Sequence, residues 1–119
     1  MAWILVVDDE YVLVEMIASL IEDLGLQTLT AANGDEALHY LLNSAQQPAL
    51  VISDVMMPGM NGIELTDKVK QHPGLSKVPV ILMSAAGKPL LPNIADAFIH
   101  KPFDMDAFTE LIRQYATAA

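Results

Sequence analysis

Asp8, Asp9, Asp54, Ser84 and Lys101 are scattered along the chain but share one context. Asp8 and Asp9 follow the apolar run "WILVV", Asp54 follows "LVIS", Ser84 follows "VPVILM", and Lys101 follows "AFIH". Short apolar runs of this kind read as strands covered on both faces. If such strands lie parallel, their carboxyl ends share one rim, and open α/β sheets bind ligands at that rim. The rim then gathers three carboxylates, one hydroxyl and one ammonium. Crowded carboxylates repel, which costs free energy and raises at least one carboxyl pKa unless a cation intervenes. A hard divalent cation such as Mg²⁺ meets that need, because it takes oxygen ligands and commonly binds through one or two carboxylates. Asp9 and Asp54 are the candidate ligands, with Asp8 acting directly or through water.

Elements of the right kind lie between these residues. Residues 3–7 form the first apolar run. Residues 11–24 then place Leu13, Met16, Ile17, Leu20, Ile21 and Leu24 on one helical face, with Gly25 set to end it. A weaker run covers 27–31, Asn33-Gly34 is turn chemistry, and 35–42 reads as a second helix. Residues 50–53 are the third strand. Pro58-Gly59 and Asn61-Gly62 punctuate the loop after Asp54, and 63–71 reads as a third helix. Strands are expected at 78–83, with Pro79 near the start, and at 97–100. Asp104 can cap a last helix reaching about residue 115. Strict alternation of this kind predicts a parallel sheet with helices on both faces.

Bulk properties narrow the function. The 119 residues suit one domain, spanning 1–119, and 53% hydrophobic content provides a core without staples. With no cysteine, disulfides and thiolate metal sites are excluded. The net charge of −9 disfavours direct contact with nucleic acid or an anionic membrane, by repulsion from phosphates. The apolar start lacks a basic flank and is ended by acids, unlike a signal peptide, and no apolar run has the length of a membrane span. A soluble, cytoplasmic protein without membrane insertion is the expectation.

Taken together, "VVDDE", "SDVMMPGMNG", "VILMSA" and "FIHKPF", in this order and spacing over nearly the whole chain, resemble a bacterial response-regulator receiver domain of two-component signalling, such as a chemotaxis regulator. The resemblance implies a doubly wound, flavodoxin-like α/β fold with five parallel strands in the order 2-1-3-4-5. It implies that Asp54 accepts a phosphoryl group from a histidine kinase or histidine phosphotransfer protein. It assigns Asp8 and Asp9 to Mg²⁺, with the Met56 backbone carbonyl completing the metal site. Ser84 contacts the phosphoryl group, Lys101 pairs with it, Pro102 is the expected following proline, and Phe98 takes the aromatic switch position. Such a domain catalyses only its own phosphorylation and dephosphorylation, and passes a conformational signal to a downstream protein. The physics agrees with these roles: a carboxylate attacking an anionic phosphorus needs cations beside the transferring oxygens, and Mg²⁺ and Lys101 supply them.

Each residue also has a plainer reading. Asp8 or Asp9 alone would be a helix cap, as would Ser84; Lys101 alone would be an exposed lysine; Phe98 in a short strand would be core. Met56, Met57 and Met60 fit either a soft partner surface or loop packing. His39, His72 and His100 read as surface residues. One departure from the family pattern stands out. Only "SAAGKPLLPNIAD", with Gly87, Pro89 and Pro92, separates Met83 from Ala97. A proline inside a helix costs roughly 3 kcal/mol, so the fourth helix is expected to be short, irregular or absent. That leaves as the alternative a phosphorylation-independent interaction module that keeps the fold. An enzyme turning over an aspartyl-phosphate lacks its second acid here, and a flavin domain lacks its phosphate loop.

Overall fold

The computed structural model describes residues 2–85 and 94–116. Its elements in chain order are β1 (Trp3–Val7), α1 (Tyr11–Asp23), β2 (Gln27–Ala31), α2 (Gly34–Asn43), β3 (Leu50–Asp54), α3 (Gly62–Gln71), β4 (Val80–Ser84), β5 (Ala97–His100) and α4 (Met105–Ala116). The strands form one parallel sheet in the order β2-β1-β3-β4-β5. Alternation along the central strands splits the core in two. Leu5, Val7, Val51, Val80 and Leu82 pack under α2 and α3 with Leu41, Leu65 and Val69. Ile4, Val6, Leu50, Ile52, Ile81 and Met83 face α1 and α4 with Ile17, Ile21, Phe108 and Ile112. Strands covered on both faces explain the unbroken apolar runs, and the flavodoxin-like fold follows.

Local chemistry sets the element ends. Gly25, at φ +83°, ends α1 in a conformation that suits glycine. Asn33 caps α2 by accepting from the Glu36 N–H at 2.8 Å. Asn61 and Glu64 form a reciprocal capping box at the start of α3, with bonds of 2.8 and 3.1 Å. The Asp104 carboxylate accepts from the Asp106 N–H at 3.1 Å beside the start of α4. Strand β4 starts two residues later than its apolar run, because Pro79 has no N–H to give the ladder and contributes only its carbonyl, to Val51.

The short or irregular fourth helix expected between Ser84 and Ala97 falls on residues 86–93, outside the described residues; 85 and 94–96 are not helical. At the rim of the sheet opposite the strand carboxyl ends, Asp96 binds the starts of β4 and β5 together. Its carboxylate accepts from the Val80 N–H and pairs with Lys70, both at 2.8 Å. Its backbone N–H donates to the Val80 carbonyl at 2.9 Å, and its carbonyl accepts from the Tyr115 hydroxyl at 3.0 Å. Among the described residues, no helix is long and apolar enough to cross a membrane.

Candidate functional site

Strand register places the predicted residues side by side. Val7 lies opposite Ser53, Asp54 opposite Met83, and Ser84 opposite His100. Asp8, Asp54, Ser84 and Lys101 therefore stand at neighbouring strand ends. Backbone bonds continue the ladder past the strands: Asp8 N–H to Ala31 at 3.1 Å, Val55 N–H to Met83 at 2.8 Å, and Lys101 N–H to Ser84 at 2.9 Å. The loop after Asp54 is held from beneath by Gly62, whose N–H donates to the Val55 carbonyl at 3.0 Å. A Cβ at Gly62 would run into the Asp54 backbone carbonyl, so this close approach requires glycine. The Lys101-Pro102 peptide bond is cis.

Lys101 is the centre of the cluster. Its ammonium lies 2.9 Å from Asp8 Oδ2, 3.0 Å from Glu10 Oε1 and 3.4 Å from Asp54 Oδ1. The Asp8 and Asp54 side chains are 0% and 7% exposed, against 62% for Glu10. Burial pushes the Asp8 carboxyl above its usual range, against the opposing pull of Lys101 and the Glu10 N–H. Burial also raises Asp54, and the Asp8 charge adds to the effect, while Lys101 and the Met56 N–H lower it. For Lys101, burial disfavours the charged form, but hydrogen bonds to Asp8 and Glu10 and the charges of Asp8 and Asp54 outweigh it. The net shift is upward, and the ammonium stays charged.

The donor chemistry fits a hard divalent cation. Asp8, Glu10 and Asp54 each offer a carboxylate oxygen, all within 4.8 Å of one another. Asp9 is exposed and outside that close group; it borders a neighbouring hollow with Tyr11, Glu15 and Glu36. β1 ends at Val7, and the chain bends at Asp9, leaving Asp8 buried and Asp9 exposed. Glu10 was the third acid of "VVDDE" and carried no assigned role; nothing local marks it, because its partner is Lys101.

The remaining candidates divide. Ser84 is fully buried at the rim. Met56 is exposed, while Met57 is buried and Met60 packs against the same core, so the methionine run is part surface and part loop packing. Phe98 is half-buried on β5 against the α2–α3 side of the core. His39 sits beside Asn43, the His72 ring accepts from the Gly74 N–H, and His100 is exposed.

The family model described as "Response regulator receiver domain" matches residues 4–113. The chain is 35% identical over 116 residues to response regulator Rre1 of Synechocystis, covering 92% of this chain and 49% of that protein. It thus spans about half the length of several curated relatives it matches. Sporulation initiation phosphotransferase F of Bacillus subtilis is 34% identical, with 94% of this chain and 91% of that one covered. Response regulator protein TrrA of Thermotoga maritima, solved in complex with Mg(2+)-BeF, superposes with a TM-score of 0.85 at 30% identity, covering 97% and 99% of the two chains. The chain belongs to the response regulator receiver domain family.

Proposed function

We propose that this domain takes a phosphoryl group onto Asp54 from a histidine kinase or histidine phosphotransfer protein, in the cytoplasm, and passes the signal to a downstream protein. One observation carries the reading: a buried carboxylate, Asp54, lies against both a second buried carboxylate and a charged lysine at the carboxyl rim of the sheet. Asp8, Asp54 and the Met56 backbone carbonyl would hold Mg²⁺, with Asp9 turning in from the exposed bend beside them to join when the ion binds; the bound ion would neutralise the crowded carboxylates and the oxygens of the transferring group.

In this reading Asp54 supplies the oxygen that bonds to phosphorus, and the phosphorus–nitrogen bond of the donor breaks with its electron pair going to the imidazole. Lys101 is placed to pair with the phosphoryl oxygens, and the Ser84 hydroxyl to donate to one of them. Gly62 lies close beneath the Asp54 carbonyl and its N–H holds the Val55 carbonyl, which supports a loop already shaped to position Asp54. Phe98 would respond through packing, since phenylalanine has no hydroxyl to change partners.

Partner recognition is expected to be electrostatic in part. No lysine or arginine precedes Lys68, so α1 and α2 present acids without bases. That supports a basic protein donor and disfavours nucleic acid.

The test is incubation with a small phosphodonor and Mg²⁺, followed by mass measurement, for the wild type and Asp54→Asn. One acid-stable, base-labile phosphoryl adduct is expected on the wild type and none on the variant. Equal labelling of both would remove Asp54 as acceptor. No labelling of a folded wild type would favour an interaction module that works without phosphate.

A further inference from the structure

We propose that Glu10 is a positioning residue that holds Lys101 in reserve and so slows phosphoryl uptake, a proposal that rests on Asp54 being the acceptor. An ammonium has three N–H donors, and Lys101 faces three carboxylates, at 2.9 Å (Asp8), 3.0 Å (Glu10) and 3.4 Å (Asp54). Two donors are spent on hydrogen bonds to Asp8 and Glu10, and the ion pair with Asp54, the acceptor, is the longest of the three contacts. A phosphoryl group on Asp54 brings new oxygens for Lys101, so an existing partner must be exchanged. Asp8 is the costly one to release, because its side chain is 0% exposed and gives up a buried, charge-assisted hydrogen bond that water does not replace. Glu10, 62% exposed, returns to water at little cost.

The local backbone supports the assignment. Glu10 occupies the N-cap position of α1, where a side chain usually accepts a helix N–H, yet its side chain makes no capping bond. Its main chain is fixed all the same, by N–H donation to Asp8 Oδ1 at 2.9 Å and by its carbonyl accepting from Val14 at 3.0 Å. The helix start thus aims the carboxylate at Lys101 rather than at the helix. Glu10 acts on the reaction through Lys101 and touches no reacting atom.

Glu10→Gln keeps the shape and removes the charge. Glu10→Asp keeps the charge and shortens the reach. If Glu10 restrains Lys101, both variants take up phosphate from a small phosphodonor about threefold to fivefold faster than the wild type. Both also shift the NMR resonance of the Lys101 side chain in the unphosphorylated protein, which reports the lost contact, while the faster uptake is the change that a merely structural role would not produce. Mg²⁺ affinity, read by titration calorimetry without phosphodonor, changes less than the uptake rate. An Asp variant that behaves like the wild type would reduce the effect to charge alone and overturn the positioning role. A collapse of Mg²⁺ affinity in both variants would make Glu10 a metal ligand and overturn it equally. Unchanged rates and resonances, with Asp54→Asn still abolishing label, would sink this proposal and leave the acceptor assignment standing. A folded wild type that takes no label would sink both.

Discussion

Replacing Lys101 by methionine keeps the apolar stem and deletes the ammonium, and the structure sets the scale of the loss. At an effective dielectric of about 20, Lys101 attracts Asp8 by about 5.7 kcal/mol at 2.9 Å and Asp54 by about 4.9 kcal/mol at 3.4 Å. With oxygens within 4.8 Å, Asp8 and Asp54 repel by at least about 3.5 kcal/mol on the same scale. Burying the ammonium cancels several kcal/mol of the gross attraction, and proton uptake by one carboxylate limits the loss further. The expected destabilisation is about 3 kcal/mol near neutral pH without metal. Its pH dependence has a definite sign. Without Lys101 the folded carboxyl pKa values rise further above the ordinary 3.8, so the folded state keeps protons that the unfolded chain releases. Stability of the variant then falls as pH rises through that window, and the deficit shrinks in acid. Urea unfolding of both proteins near neutrality, in mild acid and with millimolar Mg²⁺ measures this directly. A deficit that is equal at every pH and untouched by Mg²⁺ would show that Lys101 stabilises by packing, and would refute the electrostatic account.

Two further expectations follow from the same rim. Asp54→Asn should stabilise the metal-free domain by roughly 1 kcal/mol near neutrality, because the burial and repulsion that raise its pKa outweigh its attraction to Lys101. That gain should fade as pH falls through the carboxylate range, and a gain that grows in acid would contradict the assigned shift. Gly62→Ala should cost about 2 kcal/mol or more, because the new methyl meets the backbone of Asp54 and Val55. Gly74→Ala is the control: its nearest neighbour is the His72 ring edge at 3.2 Å, which can move aside, so equal losses in the two denaturation curves would discount the close approach at Asp54.

Legibility of the fold in the sequence had a simple physical basis. Strands covered on both faces must be apolar throughout, and helices covered on one face must repeat, so the two kinds of element differ in pattern. Element ends were harder. Asn33 and Asn61 read as turn residues, yet each caps a helix, because one side-chain chemistry serves both purposes. At the site, register brought Asp8, Asp54, Ser84 and Lys101 to one rim as their positions after strands implied. The acidic triplet was less legible. The chain bends just past β1, so Asp9 is exposed outside the cluster that the buried Asp8 joins. Glu10 touches Asp8 through its main-chain N–H, but its carboxylate enters the cluster through Lys101, 91 positions away.

Asp96 has a consequence for how any rearrangement at the far rim can travel. Its backbone and carboxylate grip the first residue of β4 on both the N–H and the carbonyl, while Lys70 and Tyr115 secure it from α3 and α4. With the entry to β5 pinned in this way, the strand cannot glide past its neighbour without breaking all four attachments. A displacement of Ser84 and Lys101 would therefore become a pivot about a fixed foot, widest at the carboxyl rim of the sheet and smallest at Asp96.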